Sequence, residues 1–194
     1  MVSTLEKVKQ AAFSLFARQG YEFTTMNQIA TAVGIKKPSL YAHFESKEAL
    51  FLAVFTDMEQ AYQKHMRQVF SDTGQYYSTE AKLYHIFEQY IAYFAQDQEL
   101  SALWNRILLF PPAALKEMLF TRIAALEAEF HSQVTAIIES GIKQNELKAG
   151  SAGDVMFSFY CLREGLLWAL LIKQKLEAHK VKMVWEHFWR GIGK

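Results

Sequence analysis

Four side chains that can donate hydrogen bonds lie within one short stretch of the sequence: Lys37, Ser39, Tyr41 and His43. Leu40 and Phe44 are one helical turn apart, which predicts a short helix with one buried side and these four residues on the other. Such side chains contact both the phosphates and the base edges of DNA. The stretch 37–44 is therefore predicted to be a helix that enters a DNA major groove.

The preceding residues predict a second short helix and a tight turn. Thr25 is followed three positions later by Gln28, a capping-box pattern that predicts a helix start near Met26. Gly34 falls where the chain must turn sharply, so we expect a positive φ there. Pro38 suits the first turn of the next helix because its φ is already fixed near the helical value. Two short helices joined by a glycine turn are typical of a helix-turn-helix.

The charge of the chain is nearly neutral but unevenly distributed. The 194 residues carry a net charge of +1. Residues 1–50 hold six Lys and Arg against four Asp and Glu, a net of +2, and the remainder carries −1. A near-neutral total thus does not exclude DNA as a partner, because the basic residues are biased toward the predicted motif.

The composition predicts an all-α protein. The chain is 51% hydrophobic and holds three prolines and nine glycines, too few for the many turns of a sheet-rich domain. Apolar residues recur at helical spacing almost throughout and predict about nine helices. Val155–Ile172 is long enough to consider as a membrane span, but Arg163 and Glu164 in its middle favour a buried helix of a soluble protein.

The first quarter of the chain resembles the TetR/AcrR family of bacterial transcriptional regulators. The resemblance runs from about Val8 to Phe55 and rests on three runs of residues. These are G-Y-x-x-T-T at Gly20–Thr25, I-A-x-x-x-G at Ile29–Gly34 and, most specifically, S-L-Y-x-H-F-x-S-K-E-x-L at Ser39–Leu50. The family resemblance implies a three-helix DNA-binding domain over residues 1–46 and a helical domain for ligand binding and dimerisation over 47–194.

The resemblance also assigns roles to individual residues. Thr25 and Lys47 would hold DNA phosphates, Lys36 is a further candidate for a backbone contact, and the predicted recognition helix would present the DNA-binding residues Lys37, Ser39, Tyr41 and His43. Many relatives have a small residue in place of Pro38 and an aromatic in place of Ala42, so the base preference stays open. Plainer roles are also open: Thr25 as a cap, the lysines as solvated charges, and Tyr41 and His43 as packing residues.

The region after residue 50 holds 22 of the 28 aromatic residues. Core packing and a dimer interface are one explanation, and a cavity for an apolar or aromatic ligand is another. Family members usually have such a pocket among helices five to eight. The candidate lining residues are Tyr90, Phe94, Trp104, Ile107, Phe110, Met118, Arg122, Phe157, Tyr160 and Cys161.

The last two helices are the best candidates for a dimer interface. The helix containing Val155–Ile172 is apolar on nearly all sides, which is more than one core covers. Trp168, Trp185 and Trp189 are candidate anchors of an interface in which each subunit contributes two helices, as in the family. Arg163 and Glu164 could reach a dimer partner or a polar group of a ligand, or the helix could turn that edge to solvent.

The resulting hypothesis is a homodimeric repressor that binds a palindromic operator in double-stranded DNA and is released by a small apolar or aromatic effector. A regulator without small-molecule control, governed by a protein partner or constitutive, is the alternative, and an all-α enzyme is a remote one. No catalytic motif and no metal-ligand spacing are present among the histidines or at Cys161. We expect no cofactor, no metal, no membrane partner and a bacterial cytoplasmic location, with the protein on the nucleoid when bound.

Overall fold

The structure is a computed structural model that describes residues 3–148, 150–172 and 176–194. The described residues form nine α-helices and no extended strand, which confirms the all-α prediction. In chain order the helices are α1 (Thr4–Gln19), α2 (Met26–Val33), α3 (Lys37–Tyr41), α4 (Lys47–Asp72), α5 (Thr79–Ala95), α6 (Gln98–Leu109), α7 (Lys116–Lys143), α8 (Ala152–Leu171) and α9 (Ala178–Ile192). A short 3-10 turn over Thr73–Gln75 follows α4, and another over Ala113–Leu115 precedes α7.

Contacts divide the described residues into two compact units. Unit 1 consists of the residues up to Gln63 together with Gln98–Thr121, and unit 2 consists of Lys64–Asp97 and Arg122–Lys194. The long helices α4 and α7 therefore each contribute residues to both units. Unit 1 contains the predicted DNA-binding motif, and α6 is also part of it.

The core of unit 1 joins α1, α2, α3 and the first turns of α4. Fully or almost fully buried side chains come from each of these helices: Val8, Ala12, Phe16, Ile29, Leu40, Leu50 and Phe51. The rings of Phe16 and Phe51 meet edge to face with centroids 5.0 Å apart. This burial fixes the crossing of the short helices, which have too few residues to be stable alone.

Two polar side chains of α6 attach it to α1. The Glu99 carboxylate accepts from the Ser14 hydroxyl at 2.6 Å and from Arg18 Nε at 2.7 Å. Arg106 donates from Nε to the Ala17 carbonyl and from Nη2 to the Arg18 carbonyl, both at 2.9 Å. These carbonyls lie in the last turn of α1, where helix geometry leaves acceptors without partners and favours a cation.

Gly34 ends α2 in the left-handed conformation that the sequence predicts, with φ 76° and ψ 28°. An added Cβ would meet no atom within 4 Å, so the requirement for glycine comes from the backbone and not from crowding. The following residue, Ile35, donates its N–H to the Ala30 carbonyl at 3.0 Å and closes the turn.

Replacing Gly34 by alanine is expected to lower the free energy of unfolding by about 1–2 kcal/mol, the cost of holding an L-residue in the left-handed region. Urea unfolding measures this change. Gly74→Ala is a matched control, because its Cβ also meets nothing within 4 Å and its φ is not in that region. Equal effects of the two substitutions would contradict a conformational origin.

Unit 2 is built around an aromatic cluster that α5, α7, α8 and α9 share. Phe159 of α8 lies 6.2 Å from Phe87 and 6.3 Å from Trp185, measured between ring centroids. Trp185 also contacts Phe87 and stacks on Trp189. Much of the aromatic excess after residue 50 is therefore core packing, one of the two explanations that the composition allowed.

Arg163 is completely buried in unit 2 and is paired within the chain. Its Nη2 lies 2.6 Å from Glu127 Oε2 and 2.9 Å from Glu164 Oε1. The guanidinium also sits 4.3 Å above the Tyr90 ring. Of the three possibilities that the sequence left open for Arg163, solvent exposure is wrong, because intrachain carboxylates compensate the buried charge instead.

No helix among the described residues is both long and apolar enough to cross a membrane.

Candidate nucleic-acid interface

The helix-turn-helix begins at a capping box, as the sequence predicts. The Gln28 N–H donates to Thr25 Oγ1 at 3.2 Å, and the Thr25 N–H donates to Gln28 Oε1 at 2.8 Å. Thr25 itself is exposed at the start of α2. The cap role is thus shown, and it leaves the threonine at a helix N-terminus, where phosphates bind.

Five further residues predicted for the motif lie on α3 or next to its ends, on the side away from the core. Leu40 is fully buried and Phe44 is nearly so, which confirms that they face inward. The residues that remain exposed are Lys36, Lys37, Ser39, Tyr41 and His43, here called the α3 surface. The Lys37 ammonium lies 5.7 Å from the centroid of the Tyr41 ring, one turn further along. The alternative in which Tyr41 and His43 pack against neighbouring helices does not fit this exposure.

The recognition helix is shorter than predicted, because α3 ends at Tyr41 and not at Phe44. The His43 N–H donates to the Leu40 carbonyl at 3.0 Å, a tightened turn that carries the chain away from the helix axis. His43 consequently lies just beyond α3, although it remains exposed. Ser46 then caps α4 by accepting the Ala49 N–H at 3.0 Å.

Lys47 is half-buried and has partners within the chain. Its Nζ donates to the Tyr21 carbonyl at 2.8 Å and lies 4.0 Å from the centroid of the Tyr21 ring. The lysine therefore ties the start of α4 to the segment between α1 and α2. Its role in holding a phosphate stays a prediction. In that role the Lys47 ammonium, which the Tyr21 carbonyl already orients, would donate a further hydrogen bond to the phosphate.

Two residues that the sequence analysis did not single out shape the segment between α1 and α2. Thr24 is fully buried, and its hydroxyl donates to the Gly20 carbonyl at 2.7 Å. Gln19 donates from Nε2 to the Phe23 carbonyl at 2.8 Å and also reaches Gln28 Oε1 at 3.2 Å. The two threonines of the G-Y-x-x-T-T run were the sequence signal for this arrangement, because Thr25 caps α2 and Thr24 closes the loop before it.

The candidate ligand-binding residues are divided between the two units. Trp104, Ile107, Phe110 and Met118 belong to unit 1, and Tyr90, Phe94, Arg122, Phe157, Tyr160 and Cys161 belong to unit 2. Tyr90, Phe94, Trp104 and Ile107 are buried, Arg122 and Tyr160 are half-buried, and Phe110, Met118, Phe157 and Cys161 are exposed. Ile107 and Phe110 line a pocket of unit 1 together with residues of α1. A ligand role for the set stays a prediction.

The three tryptophans predicted for the dimer interface have different surroundings. Trp168 is 48% exposed on α8, whereas Trp185 is 3% exposed inside the aromatic cluster of unit 2. Trp189 is half-buried against Trp185. Of the three, Trp168 has the most surface left for a partner.

Comparison with known proteins agrees with this geometry. Residues 10–54 match the model of the bacterial regulatory proteins of the tetR family. Over 46 residues the chain is 46% identical to IcaR, the HTH-type negative transcriptional regulator of the biofilm operon icaADBC in Staphylococcus aureus. That match covers 24% of this chain and 25% of IcaR, so the chain matches about a quarter of the length of its curated relative.

Solved structures extend the likeness of fold to almost the whole chain. A TetR transcription regulator from Haloarcula marismortui superposes with a TM-score of 0.77 at 17% identity, over 98% of each chain. The regulator FadR from Bacillus subtilis, solved in complex with stearoyl-CoA, gives 0.74 at 17% identity over 94% of this chain and 96% of FadR. The matching proteins are transcriptional regulators, in agreement with the prediction that the chain is not an enzyme. Residues 10–54 thus match the DNA-binding region of the tetR family of bacterial regulatory proteins, and the fold of the described residues is that of solved TetR regulators.

Proposed function

We propose that the protein is a transcriptional repressor that binds operator DNA through the α3 surface. The observation that carries this proposal is the exposure of all five polar side chains of that surface, on and beside a helix held by Leu40 and the Gly34 turn. A helix presented in this way fits the major groove, with its first residues at the base edges. Such a regulator acts on the chromosome in the bacterial cytoplasm.

The proposed active form is a homodimer on a palindromic operator. An exposed apolar stripe runs along one side of α8 to the residue that follows it, with spacings of four, seven and four residues: Phe157, Cys161, Trp168 and Ile172. Phe157 is 68% exposed and Ile172 is 69% exposed. Exposed apolar side chains along one side of a helix mark an interaction site, and a second copy of α8 would cover them. Two α3 surfaces would then read half-sites about 34 Å apart, one turn of DNA.

The proposed effector is a small apolar or aromatic molecule, and the candidate ligand-binding residues in both units are its proposed contacts. FadR, which shares the fold, was solved with stearoyl-CoA, a ligand that carries a long apolar acyl chain. An effector would release the operator only to the extent that it binds the two conformers of the dimer with different affinities. Control by a protein partner, or constitutive binding, remains the alternative.

Selection of bound sequences from random double-stranded DNA tests the proposal. The expected result is an enriched palindrome whose half-sites lie about one helical turn apart. Repeating the selection with a panel of hydrophobic and aromatic compounds tests effector control, since an effector would lower the recovery of that palindrome. Recovery of unrelated sequences with no enrichment would contradict operator recognition.

Lys36→Ala is expected to weaken binding to every DNA sequence by a similar factor. Each lost phosphate contact should reduce the slope of log affinity against log salt concentration by about one unit, so a dimer that loses one contact per subunit should lose about two units. Fluorescence anisotropy at several salt concentrations measures this slope. Lys64→Ala, an exposed lysine of α4 within unit 2, is the matched control and should leave the slope unchanged. A change restricted to one operator sequence would indicate a base contact instead.

A further inference from the structure

A pocket of about 240 Å³ opens in unit 1 beside the C-terminal end of α1. Its walls are mainly apolar and come from α1, the following segment, α4 and α6: Phe16, Tyr21, Phe51, Leu103 and Ile107. Two aromatic side chains in its lining are unusually exposed, Phe23 at 78% and Phe110 at 76%. Exposed aromatics beside a concave apolar surface are typical of a binding site for a small molecule.

The pocket also contains a guanidinium whose orientation is fixed. Arg106 lines the pocket. Its Nε donates a hydrogen bond to the Ala17 carbonyl, and its Nη2 donates one to the Arg18 carbonyl. Its Nη1 donates to no other atom of the part of the chain that the structure describes. Nη1 lies 3.3 Å from the position that a Cβ on Gly20 would occupy, and Gly20 lines the same pocket. The missing side chain at Gly20 thus leaves room beside a fixed, unused donor.

We propose that this pocket binds a small aromatic carboxylic acid. The ring of the ligand would contact Phe16, Tyr21 and Phe51, because aromatic rings pack favourably edge to face and offset. The carboxylate would accept from Arg106 Nη1 in a charge-assisted hydrogen bond. Glu22 is the acidic residue in the lining, and it is exposed, so the positive charge of Arg106 dominates the interior. The volume suits a compound of one or two rings.

Occupation of this pocket would act on DNA binding through Tyr21. The Tyr21 ring lines the pocket, and the same residue holds Lys47 by its carbonyl and by its ring. A ligand that displaces the ring would disturb the Lys47 contact at the start of α4. This step rests on the proposed function, because it assumes that Lys47 contributes to DNA binding, and we expect a several-fold loss of operator affinity.

The first test measures ligand binding without DNA, by ligand-observed NMR and calorimetry on the full chain. The probes are 1-naphthoate, the neutral 1-naphthamide and the cationic 1-naphthylmethylamine. Naphthoate should bind, the amide should bind at least tenfold more weakly, and the amine should not bind. Equal binding of the three compounds, or no binding of naphthoate, would overturn the proposal.

Variants locate the binding site within unit 1. Phe110→Ala should weaken naphthoate binding several-fold without affecting the fold, because the ring is mostly exposed. Arg106→Gln should weaken it at least tenfold, and thermal unfolding checks that α1 stays in place. Tyr77→Ala, which removes a fully exposed aromatic ring far along the sequence in unit 2, is the control and should leave binding unchanged. Unchanged affinity in both pocket variants would overturn the assignment.

The second test adds an operator found by selection. Naphthoate at saturation should lower operator affinity several-fold in the wild type and have a smaller effect on Phe110→Ala. Binding of naphthoate with no change in operator affinity would overturn the coupling through Tyr21. If the chain bound no DNA at all, the proposed function would fail. The measurements of naphthoate binding without DNA would still show whether the pocket binds an aromatic carboxylate.

Discussion

Replacing Tyr41 by alanine is expected to abolish measurable operator binding. Tyr41 is 44% exposed at the end of α3, and its ring lies beside the Lys37 ammonium, so the substitution removes one side chain of the proposed recognition surface and frees the other from this contact. A base contact is worth about 1–3 kcal/mol, and a dimer on a palindrome loses it twice. Anisotropy with labelled operator measures the loss. The free energy of unfolding should change by less than about 0.5 kcal/mol, because the ring is not part of the core.

Two further variants make the result at Tyr41 interpretable. Tyr41→Phe keeps the ring beside Lys37 and removes only the hydroxyl, so it separates the hydrogen bond from the stacking contribution. Tyr77→Ala removes an equally large ring that is fully exposed outside the motif and should bind operator normally. Normal operator binding by Tyr41→Ala would place the recognition surface elsewhere on the protein.

Replacing Trp168 by glutamate is expected to convert the proposed dimer into monomers. Trp168 is the largest side chain of the exposed stripe on α8, and large aromatic anchors carry about 2–4 kcal/mol of binding energy at interfaces. The glutamate would also place an unpaired charge against the stripe of the partner. Because a twofold interface repeats each contact, the substitution acts twice in every dimer. Sedimentation velocity at micromolar concentration measures the outcome.

A substitution at Trp168 tests the dimer interface more clearly than one at either of the other two tryptophans proposed as anchors. Trp189 stacks on the buried Trp185, so a charge there would damage unit 2 itself and confuse loss of the dimer with loss of the fold. Tyr77→Glu introduces the same charge at a fully exposed aromatic outside α8 and should leave the dimer intact. A dimer that persists in Trp168→Glu would show that subunits associate through another surface.

The motif could be predicted from the sequence because its determinants are local. The Thr25–Gln28 capping box and the left-handed Gly34 each depend on residues within four positions, and side-chain types report such interactions directly. The inward positions of Leu40 and Phe44 follow from their spacing in the same way. The early end of α3 at Tyr41 was missed, because short apolar spacing does not distinguish a helical turn from the tight turn that follows it.

The contacts that the sequence could not predict join residues distant in the chain. Arg106 reaches the carbonyls of Ala17 and Arg18 across 89 and 88 positions, and nothing near Arg106 in the sequence indicates those acceptors. Arg163 was recognised as a charge that needs a partner, yet its partner Glu127 lies 36 positions earlier. The pocket beside α1 escaped prediction for the same reason, since its walls come from three separate helices.

The distribution of the tryptophans gives the two units separate optical signals. Trp104 is the one tryptophan of unit 1, where it is 5% exposed and stacks on Tyr62 at 6.0 Å, while the other three lie in unit 2. A chain that keeps only Trp104, with phenylalanine at the other three positions, would emit from unit 1 alone. Its fluorescence during denaturation, compared with circular dichroism of the whole chain, would show whether both units lose structure in one cooperative transition. Because the neighbour of Trp104 in α6, Leu103, lines the pocket beside α1, the same emission would also respond to events in that pocket.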